Sequence, residues 1–259
     1  TEIDGDKWSK PKNLGKNVNS SSWDSQPSIA PDKSRIYFSS NRPGPNGSDN
    51  FDIWYSDYDF DLEDWKPAVN MTGINTGDRE RAPFIAADNT TLFFSSDGHS
   101  PNLGGLDFYS TTNDNGKWSK PQHLGTRLNT SEDEEFITLP ASGDVIYFSS
   151  RRSDLKGYQG SLDVFMAFVP SFFKAVILSG VVLDECTDEN IPASISVRNT
   201  VTGKVFKDTL NTSSKKEFQL IISNTDFGNP KDSIKAADFE IIATNPTYGE
   251  TKKVVTIDK

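Results

Sequence analysis

Three aspartates recur at one position of a repeating pattern: Asp52 in "FDIWYS", Asp107 in "LDFYS" and Asp163 in "LDVFMA". A carboxylate placed where a loop meets a strand can accept backbone N–H bonds or pair with a guanidinium. Arg42, Arg151 and Arg152 close the neighbouring "FSS" stretches and are candidates for that pairing. The alternative chemistry is a ring of acids beside a channel that binds a cation. A second set, Asp57, Asp59 and Asp61, has the alternation of the first three ligands of a calcium loop. Leu62 stands where that loop needs glycine and Ala68 where it needs glutamate, so no EF-hand is present. The plain reading of this set is the solvent face of an outer strand and its turn; Glu132 through Glu135 read likewise as a solvated acidic loop. The metal candidates are thus Asp52, Asp107, Asp163, Asp57, Asp59 and Asp61, with calcium the ion they would suit; no other cofactor is expected. Arg42, Trp54, His99, Arg151 and Arg152 are candidates to face a ligand or partner from loops.

Catalytic signatures are missing. The chain has no Gly-x-Ser-x-Gly elbow, no His-Glu-x-x-His helix and no glycine-rich phosphate loop leading into a helix. Its two histidines leave little for imidazole chemistry. His123 fills the repeat position held elsewhere by Asn13, which points to a structural role; His99 lies in the loop "DGHSPNLGG". A single cysteine, Cys186, excludes an internal disulfide framework and a cysteine-rich zinc site. A formal charge of −10 with no dense Lys/Arg cluster argues against nucleic acid and against an anionic membrane surface. A glycosidase would need two placed carboxylates, and acids are too numerous here to choose a pair. No catalytic residue is therefore assigned.

The elements that hold these residues come from a repeat. Trp8 to Ser56, Trp65 to Ser110 and Trp118 to Ala167 match one another. Each opens with a Trp and a nearby Pro, as in "WSKPKNLGKNVN", "WKPAVNMTGIN" and "WSKPQHLGTRLN". Each continues with an acidic residue before a short apolar strand, then "RIYFSSNR", "TLFFSSDG" or "VIYFSSRR", a glycine-containing loop and the repeated Asp. The third copy follows the first at a constant offset of 110 residues from Trp118 through Arg152. β-branched and aromatic residues bounded by turn dipeptides read as strands, and no amphipathic helical period interrupts them. About four strands in a repeat of about 55 residues is the content of a β-propeller blade. Trp8, Trp65 and Trp118 recur in register and are expected to pack between strands.

These residues resemble the PD40 repeat, the WD40-like blade of the TolB-like group. Pro27, Pro31-Asp32, Tyr37 through Ser40 and Asp52 through Trp54 carry the match in the first copy. Pro83, Asp88, Phe93 through Ser96 and Asp107 carry it in the second; Tyr147 through Ser150 and Asp163 carry it in the third, where Ile137 replaces the early Pro. The likeness covers roughly residues 5–168. Closed propellers have roughly 4–8 blades, so three copies imply a portion of a longer propeller, unrecognised further blades, or a sector completed by another chain.

Beyond Pro170 the pattern becomes short alternating strands with a hairpin signal at Thr202-Gly203, and it reads as a small antiparallel β-sandwich. It resembles the carboxypeptidase-regulatory-like, transthyretin-like domain through Gly180 to Asp184, Ile191 to Ala193, Thr202-Gly203, Phe218, Ile241 to Ala243 and Tyr248-Gly249. That family carries no peptidase chemistry. The expected division is residues 1–170 for the repeats and 171–259 for the sandwich. Val164 to Leu183 is apolar enough to raise a membrane span, but Pro170 and Lys174 interrupt it, and two strands from adjoining domains are expected instead.

The expected fold is therefore all-β: propeller-type blades plus a sandwich. The pairing resembles the middle of OmpA-family envelope proteins of Bacteroidetes, some of them in type IX secretion and gliding machinery. That implies a non-enzymatic binding or scaffold module, periplasmic or outer-membrane-associated, with other envelope proteins as partners. Peptidoglycan would be reached through domains outside this chain. Neither nucleic acid nor a transmembrane segment is expected. The alternatives are a glycan-, peptidoglycan- or calcium-binding propeller and, behind it, a glycosidase. Asp208-Thr209-Leu210 and Asp232-Ser233-Ile234 resemble the O-glycosylation signal of Bacteroidetes.

Overall fold

Aromatic and β-branched residues make "RIYFSS", "TLFFSS" and "VIYFSS" good strand formers, and each is the middle strand of an antiparallel sheet. The computed structural model of the chain describes residues 9–45, 50–140, 143–168, 175–208, 218–223 and 236–258. Among these, every regular element is a β-strand.

The first unit runs β1 (Asp24–Ile29), β2 (Arg35–Ser40) and β3 (Asp52–Asp59); the short strands β4 (Asp64–Trp65) and β5 (Val69–Asn70) both pair with β3. The second repeats this order with β6 (Glu80–Ile85), β7 (Thr91–Ser96), β8 (Asp107–Asp114), β9 (Lys117–Trp118) and β10 (Gln122–His123). The third has β11 (Glu134–Thr138), β12 (Val145–Ser150) and β13 (Asp163–Phe168). Equivalent turns join the first two strands of each unit. Asp32 Oδ1 accepts the Ser34 N–H at 2.9 Å, and Asp88 Oδ1 accepts those of Thr90 and Thr91 at 2.9 and 2.8 Å. The left-handed position of the turn is Lys33, Asn89 and Gly143, at φ 61°, 58° and 61°.

The sheets stack face to face. Tyr37 and Ile53 of unit one meet Leu92, Phe94 and Tyr109 of unit two, with Met71 and Ile74 in the same cluster. Phe93 and Phe108, on the other face of unit two, meet Ile146 and Phe148 of unit three; the Phe108 and Phe148 rings cross edge to face at 5.6 Å. Each such ring or Ile contributes roughly 1.5–3 kcal/mol by leaving water. Trp65 joins the Phe38–Trp54 cluster and Trp118 meets Tyr37 edge-on at 6.1 Å, the packing role expected of them; Trp8 lies outside the described residues.

The remaining strands form two sheets around one core. β14 (Ala175–Gly180) pairs with β17 (Phe218–Ser223). β15 (Ser194–Asn199), β16 (Val205–Asp208), β18 (Ala236–Asn245) and β19 (Gly249–Asp258) form the order β16-β15-β18-β19. Phe218 and Ile222 from the first sheet share a cluster with Ile195, Val197 and Phe239 from the second. A Cβ at Gly180 would stand 2.9 Å from the Phe218 ring, so a side chain here would force that ring to shift. Gly203, at φ 72°, makes the expected hairpin turn between β15 and β16. The expected division at residues 170 and 171 lies outside the described residues, as do Thr209, Leu210 and Asp232 to Ile234. The apolar run from Val164 holds β13 and β14, and no helix among the described residues is long and apolar enough to cross a membrane.

Candidate functional site

Strand register places the repeated acids in rows. Asp24, Ser40 and Asp52 lie side by side across unit one; Glu80, Ser96 and Asp107 do so in unit two, and Glu134, Ser150 and Asp163 in unit three. The inner acid of each row ties down the loop before its strand. Glu80 accepts the Ser96 and Thr76 hydroxyls at 2.7 and 2.8 Å and the Thr76 N–H at 2.8 Å. Glu134 repeats this with Ser150 and Thr130 at 2.7, 2.7 and 2.8 Å. Asp24 does so more weakly buried, taking the Ser20 N–H at 2.6 Å and its hydroxyl at 2.9 Å. Burial pushes the Glu80 carboxyl up to about 7, with the nearby Asp52 charge adding to it. Burial also raises Glu134. At Asp24 burial works upward too, but hydrogen bonds from Ser40, Arg42 and Ser20 outweigh it and hold the group low. The "TSEDEEF" stretch is thus not a solvated loop throughout: Glu134 and Glu135 are buried, Glu135 against Arg81 at 3.1 Å.

The outer acids of the rows are held differently from the expected arginine pairing. Asp52 Oδ2 accepts the Asn70 amide at 2.6 Å. Asp107 Oδ2 accepts the Leu103 N–H at 2.6 Å and faces His123 Nε2 at 3.2 Å. Asn70 and His123 occupy the same place on β5 and β10, so one repeat position supplies both partners. Asp163 Oδ2 takes the Gln159 N–H at 2.8 Å. Burial raises Asp52 and Asp107, and one oxygen of each, Oδ1, is buried without a hydrogen-bond partner among the described residues.

The arginines go elsewhere. Arg42 bonds Asp24 at 2.5 Å and the Val18 carbonyl at 2.6 Å, lying over the Phe38 and Trp54 rings. Arg152 grips Asp154 through Nε and Nη2 at 2.8 and 2.9 Å and reaches the Arg127 carbonyl through Nη1. Arg151 stands 3.8 Å from Asp133. The reason is reach: both Arg42 and Arg152 follow the strand-end serine by two residues and fold back over the preceding loop rather than across the sheet. Trp54 is buried beneath Arg42. His99 Nε2 lies 2.7 Å from the Ile74 carbonyl, its ring against Phe94 and Tyr109, and burial lowers its pKa. Asp57 forms a two-point pair with Arg35 at 2.5 and 3.1 Å. Asp59 caps its own turn through the Asp61 and Leu62 N–H groups. No cluster of three or more potential metal ligands occurs among the described residues.

Two asparagines that sequence reasoning passed over make the joints between units. Asn75 Oδ1 accepts the Ile53 N–H at 2.8 Å while its Nδ2 donates to the Ile53 carbonyl at 2.9 Å. Asn129 does the same to Phe108 at 2.8 and 3.0 Å. Each amide acts as a one-residue strand partner for the preceding unit. The signal was present in the repeat endings "GIN" and "RLN", which align with Asn19 in "NVN".

The inner strands β1, β6 and β11 each carry a bulge in which two residues oppose one. Its first residue is Gln26, Ala82 or Phe136, all left-handed at φ 55°, 50° and 59°. Such non-glycine conformations cost about 1–3 kcal/mol each and concentrate where function or assembly demands them. The bulges line a cavity of about 230 Å³ between Gln26–Ser28, Ala82–Phe84 and Phe136–Thr138. None of these lining residues is ionisable, so the cavity has no acid or base of its own.

No family profile matches the chain, and no curated protein does. Solved structures similar to it include a glycoside hydrolase, at 9% identity and TM-score 0.30, covering 89% of this chain and 86% of that one. A GH43 endo-arabinanase from Bacillus licheniformis matches at 13% identity and TM-score 0.25, covering 90% and 92%. A Ca2+-stabilized adhesin of an Antarctic bacterium, described as binding ice, matches at 12% and 0.21, covering 86% and 62%. At such TM-scores these likenesses carry no argument.

Proposed function

We propose that this chain is a non-enzymatic binding and scaffold module of a bacterial cell-envelope protein, working through protein–protein contact. In this reading the three stacked units are β-propeller-type blades and the two-sheet region is a carboxypeptidase-regulatory-like sandwich. The observation that carries it is how the recurring charged groups are used. Glu80, Glu134, Asp52, Asp107, Arg42 and Arg152 are all engaged in holding loops and strands of their own chain. The cavity between inner strands offers no acid–base pair. The resemblance to PD40-bearing OmpA-family proteins supports the envelope setting, periplasmic or outer-membrane-associated, with type IX secretion or gliding machinery among the settings it implies.

The test is cross-linking of the chain in envelope extracts together with hydrolysis assays on a panel of glycans. A defined, saturable complex with an envelope protein and no glycan turnover is expected. Turnover that disappears on substituting two carboxylates would overturn the reading. A second reading, binding of calcium or of glycan, draws on the unpartnered Oδ1 atoms of Asp52 and Asp107. Calorimetric titration with millimolar calcium and binding to purified peptidoglycan decide it.

A further inference from the structure

The joint between units is made twice among the described residues, and one half of it stands unmatched there on unit one and the other on unit three. At each internal joint an Asn amide clamps one strand residue of the unit before it, Ile53 or Phe108. The equivalent first-unit residue, Asn19, donates instead to Asn13 at 3.0 Å. The equivalent strand residue of the third unit is Val164, one place after the repeated Asp. Ile53 and Phe108 are fully buried, whereas Val164 is 77% exposed, with Met166 at 54% and Phe168 at 81% on the same face of β13. At the opposite end Ile29 is 49% exposed where its counterpart Ile85 is buried. The acids show the same incompleteness. Asn70 and His123 serve Asp52 and Asp107 from the fourth strand, while among the described residues the hydrogen bond to Asp163 comes from the Gln159 N–H. Asn13, at the Asn70 and His123 position, holds the Gly15 N–H at 2.8 Å, as His123 holds that of Gly125 at 3.1 Å. Its amide is therefore set in the pose His123 takes when it meets Asp107.

We propose that the open face of the third unit, centred on Val164 and Met166, is docked head to tail by the Asn13–Asp24 face of a second copy of this chain. In the docked pair Asn19 clamps the Val164 backbone and Asn13 meets Asp163, repeating the internal joint. Each chain presents both halves of the contact, so two contacts form together. Two sets of the three described units make six, within the roughly four to eight that close radially, so the head-to-tail contacts end in a ring rather than a filament. The proposal rests on the scaffold reading of the units, but the two fail separately. A monomeric chain can still bind an envelope partner, and a dimer can still lack one.

Molar mass measured by light scattering across a concentration series tests it. The expected result is a discrete species of twice the 28.7 kDa chain mass at high concentration. Val164→Arg with Met166→Asp, both exposed in the single chain, should raise the dimer dissociation constant at least tenfold with unchanged circular dichroism. Asn19→Ala removes two hydrogen bonds and should weaken it on the order of tenfold. Asn19→Cys with Val164→Cys in a Cys186→Ser chain should cross-link between copies on oxidation. A single-chain mass at every concentration, a ladder of larger species, or a dimer insensitive to the Val164→Arg pair overturns the proposal.

Discussion

The repeat units and the C-terminal sheets bury different things. The units bury Asp52, Glu80, Asp107, Glu134, Glu135 and Arg152 beside their aromatic residues, while Asn199 is the polar residue buried in the C-terminal sheets among the described residues. The difference follows from what each sheet must hold. In the C-terminal sheets the Phe218–Phe239 core joins two layers, and strand pairing satisfies the backbone. In the units, long loops return to the same sheet edge, and their N–H groups have no strand to pair with. Buried carboxylates and amides replace that strand. Burial of a charge is costly unless it is well hydrogen-bonded, so the units trade some stability for fixed loop and joint geometry.

This contrast can be broken most forcefully through the cores. Phe108→Ala and Phe239→Ala should each cost about 3–5 kcal/mol, read as loss of denaturation free energy. If the regions melt separately in calorimetry, each variant should move one transition; movement of both by either variant would make the contrast one of composition only. Asn129→Ala comes next. It leaves the Phe108 N–H buried and unpaired, at about 1–3 kcal/mol, while the Phe108 carbonyl keeps the Leu124 N–H at 3.1 Å, and it should affect the repeat units alone.

The pH dependence differs in sign. Glu80 binds its proton more tightly folded, at about 7, than unfolded, at 4.5, so its contribution makes stability fall as pH rises through that window. Glu134 pulls the same way, while Asp24 acts below the ordinary carboxylate range and in the opposite sense. In the C-terminal region Asp184 is held low by the Cys186 and Thr187 N–H groups, so its contribution is lost only in acid. Thermal scans from pH 5 to pH 8 should therefore lower the repeat-unit transition and spare the other. Glu80→Gln should flatten the slope by roughly 2–3 kcal/mol at most. An unchanged slope in that variant means another group is responsible. The smallest effect belongs to the exposed pair Arg198 and Glu240, 2.5 Å apart. Arg198→Ala should cost under about 1 kcal/mol and less in high salt.

Much of the architecture was legible because the repeat exposes itself. The "IYFSS" strands, the Asp-led turns, the Trp packing and the Gly203 hairpin all follow from local residue types. The partners of the repeated acids were not, because they come from strands 16 or 18 residues away, as with Asp107 and His123 or Asp52 and Asn70. Proximity in sequence favoured Arg42 and Arg152, whose long side chains fold back instead. Glu134 and Glu135 were misjudged for a related reason: in "SEDEEF" four acids look alike, and only strand register separates these buried two from exposed Glu132. His123 and Asn13 were recognised as equivalent positions, yet what that position does becomes visible only when Asp107 is placed beside it.

The bulge at Gln26, Ala82 and Phe136 has a consequence for how such a chain can change over time. Each bulge makes the inner strand one residue longer than its neighbour's count, so the side chains beyond it fall on faces that simple alternation would not give them. Deleting one residue there would restore plain alternation and turn Ile29, Ile85 or Leu139 to the wrong face. Losing or gaining a whole repeat leaves that parity untouched. The inner strands therefore act as a reading frame: single-residue indels in them should be purged, while whole-unit duplication remains open.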